Sequence, residues 1–539
     1  MYPHEGLTTK YTTRYNIKKL KGRLKDMFSK KVLTSMFAVL SLTMLSGCSN
    51  EAKSDDNKTF IYGTVAYGVA MENAGTNPHE SYNGWSTIRY GIGETLFKFN
   101  ENMELEPWIA ENFEQVDEYT IKINLKDNVV FSNGKKVTGE AVKVCLDDLI
   151  TKHDRAPKDL KIESIIADGQ SIIIKSYEKV PALLNYLSDP YGCIIDIEAG
   201  DDNRIVIGTG PYKAINVTDT QIDLIKNENY WGNVKPKMDK VIVKSITDGD
   251  TLTMAMQNGE LDAVQGLPYS SLELFTNDSK YKISQTDTSR IYQAAFNYNT
   301  PLLQDLNIRK AISMAVDKEN FTKILLKGNG TPAVGPFPAN LSFGDNEVKT
   351  VPYDLEGAKN LLTQAGWTDS DGDGYIDKDG KNLELKYLTY TSRQELPILA
   401  ETFQANLKKI GVKLNVNATD NYKTFLKSGE YDIFSKAIVT APTGDPEYYF
   451  TSHIINGAVD NAGFYNSLQI SQLEEELHNT FGAENRSKIA IKMSQQILDD
   501  CALFYASHLR MSFVMKSNIN GFTAHPSDYY EIRPELDKI

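Results

Sequence analysis

The chain has 539 residues, of which 58 are basic and 71 acidic, so its net charge at neutral pH is −13. This acidic balance argues against nucleic acid or anionic lipid as the partner of a broad binding surface. The length exceeds what one hydrophobic core supports, so two or three structural units are expected.

The N-terminal segment, residues 1–47, has the pattern of a secretory signal. Basic residues precede an apolar run over residues 32–45, which is too short for a transmembrane helix. The stretch that ends this run, Leu45 to Cys48, is similar to a lipobox. That resemblance implies cleavage before Cys48 and attachment of diacylglycerol to its thiol. The alternative is an ordinary signal peptide with an incidental cysteine.

Removal of residues 1–47 leaves a chain of 492 residues. The removed part holds nine of the basic and two of the acidic residues, so the net charge of the remainder is −20. Residues 48–58 are rich in Asp, Lys, Ser and Asn, which predicts a flexible tether. Met27 lies directly before the basic pair, which favours it as the initiator, whereas residues 1–26 are either an over-extended start or a long basic leader.

Three further cysteines, Cys145, Cys193 and Cys501, are far apart and match no metal-binding spacing. Each is expected to act as a small buried apolar residue. A bridge between Cys145 and Cys193 is the alternative.

The sequence after the tether predicts both strands and helices. A β-prone run begins at Phe60, and the pattern after Ile109 predicts a short helix, a turn at Asp117 and a strand that ends at Leu125. Thr138 precedes the apolar positions of a capped amphipathic helix. Further strands are predicted at 171–174, 222–225 and 241–243, and further helices at 307–316, 355–365, 398–410 and 488–498. Such interleaving is typical of lobes built as sheets covered by helices.

Two short motifs in the middle of the chain carry a resemblance. The first runs from Gly208 to Tyr212, and its glycines indicate backbone angles closed to other residues. The second runs from Asn227 to Gly232 and includes the aromatic pair Tyr230 and Trp231. Together they resemble the signature of the solute-binding proteins that serve oligopeptide, dipeptide and nickel ABC importers, family 5. Further landmarks of that family are Glu94, Leu125, Asn133, Gly134, Gly259, Asp262, Phe296, Asn297, Arg309, Asp317, Gly366 and Trp367.

The resemblance implies an α/β fold with two lobes, of the periplasmic-binding-protein type II, cluster C, with an extra inserted domain and a hinged cleft. The expected boundaries are 59–100, 205–305 and 505–539 for lobe I, 101–204 for the inserted domain and 306–504 for lobe III. It also implies a monomer that is held by the Cys48 lipid on the outer face of the cytoplasmic membrane and works with an ABC permease and ATPase. No catalytic arrangement is recognisable in the sequence, so an enzyme is not predicted and no cofactor is required.

The family's main ligand-contacting loop aligns with residues 441–450. Peptide receptors of the family usually carry an aspartate that pairs with the ligand's α-amino group, and this chain has Pro442 at that position. A buried ammonium without a counter-charge is costly, so the change argues against the usual pose of a peptide. The alternative is a shifted alignment in which Asp445 has that role.

Arg155 aligns with a cleft arginine that, in nickel receptors of the family, holds the carboxylates of a metal chelate. The alternative is a solvated cation at a helix end. His453 follows the ligand loop and is the candidate for direct nickel coordination. The remaining candidate contacts with the ligand, weighted by the resemblance, are Trp85, Arg393, Thr440, Tyr448, Asn461 and Tyr465.

An acidic loop follows Trp367. Asp369, Asp371, Asp373 and Asp377 are spaced like ligands of a calcium loop, but position twelve is Gly380 instead of the usual glutamate. The sequence is compatible with two interpretations of this loop, a solvated turn and a structural calcium site.

The sequence therefore predicts a lipid-anchored receptor for nickel, or another transition metal, in a small chelate of the metallophore or histidine type. A receptor for di- and oligopeptides is the first alternative, and a sensory receptor for a signalling peptide, with the same fold, is the second.

Overall fold

A computed structural model describes residues 58–65, 75–200 and 204–539. The predicted signal peptide, the predicted lipidation residue Cys48 and residues 49–57 of the predicted tether lie outside these residues. Within the described part of the chain, no helix is both long enough and apolar enough to cross a membrane.

The strands of the described residues are, in chain order, β1 (Thr59–Thr64), β2 (Phe97–Phe99), β3 (Leu105–Pro107), β4 (Ala110–Gln115), β5 (Thr120–Leu125), β6 (Ile162–Asp168), β7 (Ser171–Ser176), β8 (Tyr212–Val217), β9 (Gln221–Lys226), β10 (Lys240–Ser245), β11 (Ala263–Gln265), β12 (Tyr281–Phe296), β13 (Gly330–Pro332), β14 (Asp377–Lys378), β15 (Lys381–Asn382), β16 (Glu384–Thr389), β17 (Lys413–Ala418), β18 (Ile433–Val439), β19 (Leu503–Lys516), β20 (Ile519–Asn520) and β21 (Asp537–Lys538).

The helices are α1 (Asn83–Arg89), α2 (Gly139–Lys152), α3 (Ala156–Leu160), α4 (Leu183–Tyr186), α5 (Gly249–Gln257), α6 (Tyr269–Thr276), α7 (Leu306–Ala315), α8 (Lys318–Asn320), α9 (Leu355–Gln364), α10 (Glu395–Lys408), α11 (Tyr422–Ser428), α12 (Glu447–His453), α13 (Leu468–Asn479) and α14 (Ala483–Asp499). The helices predicted from apolar periodicity correspond to α2, α7, α9, α10 and α14 and are confirmed. Thr138 caps α2 as predicted, because its hydroxyl accepts a hydrogen bond from Ala141 N at 3.2 Å.

One large mixed sheet runs in the order β17-β16-β18-β12-β19-β11-β1-β10-β9-β8, and β13 pairs with β19. Its two central strands are long: β12 has 16 residues and β19 has 14. β18 joins one end of β12, and β11 joins the opposite end of β19. The two long strands therefore connect the two halves of an α/β fold, which confirms the predicted fold class.

A separate four-stranded antiparallel sheet has the order β4-β5-β7-β6 and lies within residues 101–204. Side chains from this sheet and from α2, among them Ile123, Leu146 and Ile172, form their own buried cluster. The strand that ends at Leu125 is confirmed as β5. The short helix predicted after Ile109 was wrong, because Ala110–Gln115 is strand β4, which pairs with β5 across a tight turn.

The family signature converges on one buried carboxylate, that of Glu94. Tyr230 Oη, Trp231 Nε1 and Thr209 Oγ1 donate to it at 2.8, 2.7 and 2.9 Å. Burial raises the pKa of Glu94 to about 7, and the three donors oppose that rise. The two motifs that carry the resemblance are therefore joined through a single side chain.

The reason for the glycines in this signature differs from the predicted one. Neither Gly208 nor Gly210 has a positive φ angle. Instead, a Cβ at Gly208 would lie 2.2 Å from Ile92 O, and one at Gly210 would lie 2.2 Å from Gly91 O. These positions need glycine because two backbone segments pack against each other.

Candidate ligand-binding site

A cavity of about 810 Å³ lies beside the long strands β12 and β19. Its floor includes Thr288, Ser289, Arg290 and Tyr292 of β12 and residues 509–512 of β19. Its walls include α1, the segment 265–269, the turn 391–395 and the C-terminal residues 526–528. The volume falls in the range of roughly 300–1,000 Å³ that is usual for small-molecule sites.

The charged side chains that line this cavity are Arg89, Arg290, Arg393, Arg510, Glu395 and Asp528. Two of the arginines are engaged by carboxylates. Arg89 pairs with Asp528, and Arg510 Nε lies 3.0 Å from Asp287 Oδ1. The guanidinium groups of Arg290 and Arg393 have no hydrogen bond or ion pair with the described residues. The cleft therefore presents two cations that are available to an anionic ligand.

The direction of Arg290 follows from an irregularity in β12. The register between β12 and β19 shifts between Asp287 and Ile291, so that three residues of β12 face one residue of β19. Thr288 Oγ1 stabilises the bulge by donating to Leu509 O at 2.9 Å. Bulges of this kind re-aim a side chain, and here the side chain is Arg290.

The surroundings of Arg290 are partly buried and rich in positive charge. Burial lowers its pKa, and the charge of Arg393 acts in the same direction, against the attraction of Asp528. An unpaired guanidinium in such a place is an unfavourable arrangement until an anion arrives.

Arg393 lies on a turn that one carboxylate anchors. Asp420 Oδ1 accepts hydrogen bonds from Thr391 N at 3.0 Å and Ser392 N at 3.2 Å, and Asp420 Oδ2 accepts one from Thr391 Oγ1 at 2.7 Å. These hydrogen bonds lower the pKa of Asp420, which keeps the carboxylate ionised. The backbone next to Arg393 is therefore fixed, while its side chain stays exposed.

Across the cavity, α1 and the C-terminal segment form an acidic cluster. Arg89 Nε donates to Asp528 O at 2.8 Å, its Nη2 pairs with the Asp528 carboxylate, and Glu531 Oε1 lies 3.5 Å from Arg89 Nε. Two carboxylates thus share one guanidinium. Burial, followed by the charge of Asp528, raises the pKa of Glu531 well above its usual range, and Arg89 opposes this rise.

An aromatic corner completes this wall. The Arg89 guanidinium lies 4.6 Å from the ring centroid of Trp85, and Trp85 meets Tyr529 edge to face at 5.0 Å. Tyr529 Oη donates to Pro442 O at 2.5 Å, which ties the C-terminal segment to the ligand loop.

Residues 104–459 match the family described as "Bacterial extracellular solute-binding proteins, family 5 Middle". The chain belongs to this family. Solute-binding proteins of family 5 work with an ABC permease and ATPase and bind chelate or peptide ligands.

Two relatives cover nearly the whole chain. The nickel-binding protein NikA of Staphylococcus aureus (strain NCTC 8325 / PS 47) is 26% identical over 93% of this chain and 98% of its own length. The oligopeptide-binding protein AppA of Bacillus subtilis (strain 168) is also 26% identical, over 93% of this chain and 97% of its own length. A crystal structure of a nickel ABC transporter from Bacillus halodurans has a TM-score of 0.79 and 27% identity, covering 89% of this chain and 100% of that one.

In this family 5 protein, three of the predicted ligand contacts line the cavity: Trp85, Arg393 and Pro442. Thr440 lies just behind the cavity. It donates from both N and Oγ1 to Ser289 O, at 2.8 and 3.0 Å, and so holds the bulge that carries Arg290.

The other predicted contacts do not line the cavity, and most have partners within the protein. Arg155 pairs with Asp189 and lies 3.1 Å from Asp159, and its guanidinium packs over Tyr191. Asn461 is engaged with backbone groups, among them Ile454 O at 3.0 Å. The ring centroid of Tyr448 lies 5.9 Å from that of His453. Contact of Arg155, Asn461 and Tyr448 with a ligand stays a prediction.

Asp445 and Tyr465 also have internal partners. Arg486 donates to both oxygens of Asp445 at 2.7 Å, and both side chains are buried. Tyr465 Oη donates to the carboxylate of Asp500. A role for Asp445 as counter-ion of a peptide's ammonium would therefore require loss of its bond with Arg486.

None of the histidines in the described residues lines the cavity. His453 is buried, and its Nδ1 lies 3.1 Å from Lys436 Nζ. Burial, together with the charge of Lys436, lowers the pKa of His453 to about 3, so the ring is neutral. Direct coordination of nickel by His453 stays a prediction that needs another arrangement of the ligand loop.

The acidic loop lies outside this cavity. One carboxylate oxygen from each of Asp369, Asp371 and Asp373 falls within 4.8 Å of the others, and all three residues are exposed. Asp377 points elsewhere, because both of its oxygens accept hydrogen bonds from Ser370. A calcium site here stays a prediction, beside the solvated turn.

Cys145, Cys193 and Cys501 are buried free thiols, as expected for small apolar residues. The Sγ atom of Cys145 contacts the backbone oxygen of Cys193 at 3.7 Å, and the two cysteines do not form the disulfide bond that was the alternative.

Of the six charged residues that line the cavity, only Arg393 was predicted from the sequence, and the five that were missed include Arg290 and Asp528. Arg290 carries a signal that could have been used, because it is a lone cation directly before the apolar residues Ile291 and Tyr292 of a strand. Asp528 carries none, since it lies in a polar C-terminal stretch that predicts only a loop.

Proposed function

We propose that this protein captures nickel, or a related transition metal, as a small chelate with free carboxylates, such as a nickel–histidine complex, and delivers it to an ABC permease. The observation that carries the proposal is the pair Arg290 and Arg393. Both cations line the cavity, neither guanidinium has a partner among the described residues, and guanidinium groups suit carboxylates. Similarity to the nickel-binding protein NikA and to the nickel ABC transporter from Bacillus halodurans supports the metal.

The charge of the cavity favours a chelate over a bare ion. Four arginines and two acidic residues line it, so a free dication would be repelled. Because none of the described histidines faces the cavity, the metal must bring its own nitrogen ligands. A crystal structure of NikA from S. aureus, whose title describes a complex with Ni(L-His)2, has a TM-score of 0.70 and 24% identity over 89% of this chain and 100% of that one, and on its own it supports only the fold.

The second candidate ligand is a di- or oligopeptide, favoured by the similarity to AppA. The position from which peptide receptors usually supply a carboxylate is Pro442, and Asp445 is held by Arg486. A peptide ammonium would therefore have to find another counter-charge in this cleft.

Calorimetry of the purified protein separates the two candidates. Nickel with two equivalents of L-histidine should bind with micromolar or tighter affinity, whereas nickel alone and a pool of di- to pentapeptides should give no heat of binding. Heat from the peptides alone would overturn the metal proposal.

The proposal includes the cellular setting. We infer that the Cys48 lipid holds a monomeric receptor on the outer face of the cytoplasmic membrane, where it meets the permease, and that the protein has no catalytic activity. The acidic charge of the processed chain suits a body that stays in solution beside an anionic membrane.

A further inference from the structure

Asp528 has features that its role as partner of Arg89 does not explain. Its Oδ2 pairs with Arg89, but its Oδ1 is buried and has no hydrogen-bond partner among the described residues. The residue also has a φ angle of 64°, in the left-handed region that non-glycine residues rarely adopt. A carboxylate oxygen that lacks a donor is costly, and strained residues concentrate at functional sites.

The position of Asp528 indicates where a donor for its carboxylate could come from, namely a ligand in the cavity. The residue lines the cavity, with 19% of its side chain exposed. It lies close enough to Arg290 to favour the charged form of that arginine. The cavity therefore holds an acceptor next to its cations, whereas a site built for carboxylates alone would need only the cations.

The single positive charge of Arg89 faces two carboxyl groups on this wall, those of Asp528 and Glu531. Glu531 also faces Arg89, at 3.5 Å, so one guanidinium serves two carboxylic groups. Arg89 also donates to the backbone oxygen of Asp528. Arg89 would thus stay anchored if the Asp528 carboxylate turned toward a ligand.

We propose that Asp528 accepts a hydrogen bond from an N–H group of the ligand, while Arg290 and Arg393 hold its carboxylates. The cleft would then select ligands that carry both groups and discriminate against chelators that offer only carboxylates. This inference rests on the proposed function and specifies its substrate class. In a nickel–histidine complex we assign this group to the imidazole N–H at Nε2, which points away from the metal because Nδ1 coordinates it, whereas the N–H bonds of the coordinated amine lie next to the metal. In a peptide the group is the terminal ammonium.

The test compares two nickel complexes in two proteins. L-histidine and histidine methylated at Nε2 coordinate nickel through the same atoms, but only the former keeps a free imidazole N–H. The wild-type protein should bind the L-histidine complex about tenfold or more tightly than the methylated one. In Asp528→Asn the preference should fall to about threefold, because the neutral amide oxygen still accepts a hydrogen bond, but one about half as strong as that of a carboxylate. Asparagine tolerates the left-handed backbone, so this variant is expected to fold.

Asp287→Asn is the matched control. Asp287 also pairs with a cavity arginine, Arg510, but does not itself line the cavity. This variant should keep the wild-type preference for the N–H group. Nickel citrate, which has no N–H group, should bind Asp528→Asn at least as tightly as wild type, and an unchanged circular dichroism spectrum shows that the variant is folded.

The outcomes separate this inference from the proposed function. If wild type binds both histidine complexes equally, or if Asp528→Asn keeps the full tenfold preference, Asp528 is not the acceptor of the imidazole N–H, although nickel chelates are still the ligand. If no nickel complex binds and peptides do, the proposed function fails. A tenfold loss of peptide affinity in Asp528→Asn would then support the acceptor, and no loss would refute it.

Discussion

Replacement of Arg290 by glutamine tests whether the unpaired cations of the cleft bind the ligand. Its guanidinium has no hydrogen bond or ion pair within the described part of the chain, and burial with neighbouring positive charge already disfavours its charged form. In the ligand-free protein its removal should therefore leave the free energy of unfolding unchanged or slightly higher. In the complex, the same change removes hydrogen bonds to a carboxylate.

The size of the loss follows from those hydrogen bonds. Interactions with charged groups contribute about 1.5–3 kcal/mol, so the Kd for nickel–histidine should rise about 10- to 150-fold. Arg510→Gln is the control, because Arg510 also lines the cavity but is engaged by Asp287 and lies 3.3 Å from Thr331 Oγ1. That variant should change the Kd less than about threefold and lose about 1 kcal/mol of stability.

Two measurements decide the matter: isothermal titration calorimetry for the Kd, and urea unfolding without ligand for stability. Weaker binding with undiminished stability in Arg290→Gln is the signature of a residue placed for the ligand. If Arg290→Gln binds nickel–histidine as wild type does, while Arg510→Gln loses affinity, the assignment of the two arginines is reversed and the proposed carboxylate site is refuted.

Three further predictions concern other parts of the chain. Because the pKa of Glu94 is raised to about 7, its contribution to stability is complete below pH 4.5 and is lost as the pH rises through 7. Urea unfolding should show this fall, on the order of 3 kcal/mol, and Glu94→Gln should remove it; an unchanged slope would contradict the raised pKa. The hydrogen bond of His478 to Glu447, 2.7 Å long, raises the pKa of His478, so its stabilising effect is present below pH 6.5 and lost above the raised value. Hydrogen exchange of α13 should accelerate from pH 6 to 8, after correction for the intrinsic rate, unless His478 is replaced by glutamine; equal acceleration in that variant would count against the pair. Finally, Cys48→Ser should abolish labelling with radioactive palmitate and release the protein into the medium, and retention on the membrane would exclude the lipid anchor.

The fold could be predicted from the sequence to a considerable extent. Long helices such as α10 and α14 have a sustained apolar period, which local sequence specifies. The segment after Ile109 was predicted as a helix because six residues are too few to distinguish the 3.6-residue period of a helix from the two-residue period of a strand. It is a strand because it pairs with β5, which follows across a turn. Gly208 and Gly210 were recognised as required, but the reason is a tertiary contact that no local pattern contains.

The candidate site was harder to predict. Residues of the ligand loop could be aligned, yet alignment does not show that Arg486 already holds Asp445 or that His453 faces Lys436. Arg290 reaches the cavity only because β12 bulges, and a bulge depends on pairing between distant strands. Charge partners that are hundreds of residues apart, such as Arg89 and Asp528, are set by the fold alone.

The bulge in β12 couples the ligand specificity of the cleft to the movement of the two halves of the sheet. The same three residues, Thr288, Ser289 and Arg290, form the irregularity in the strand that joins the halves of the sheet and supply a cation to the cleft. A new side chain at position 290 would therefore alter both what is bound and how easily the halves move. An engineer who wishes to transfer a ligand preference between family members should exchange this segment together with Thr440, which holds it, instead of single contact residues. Affinity measured after such an exchange reports on recognition and closure together.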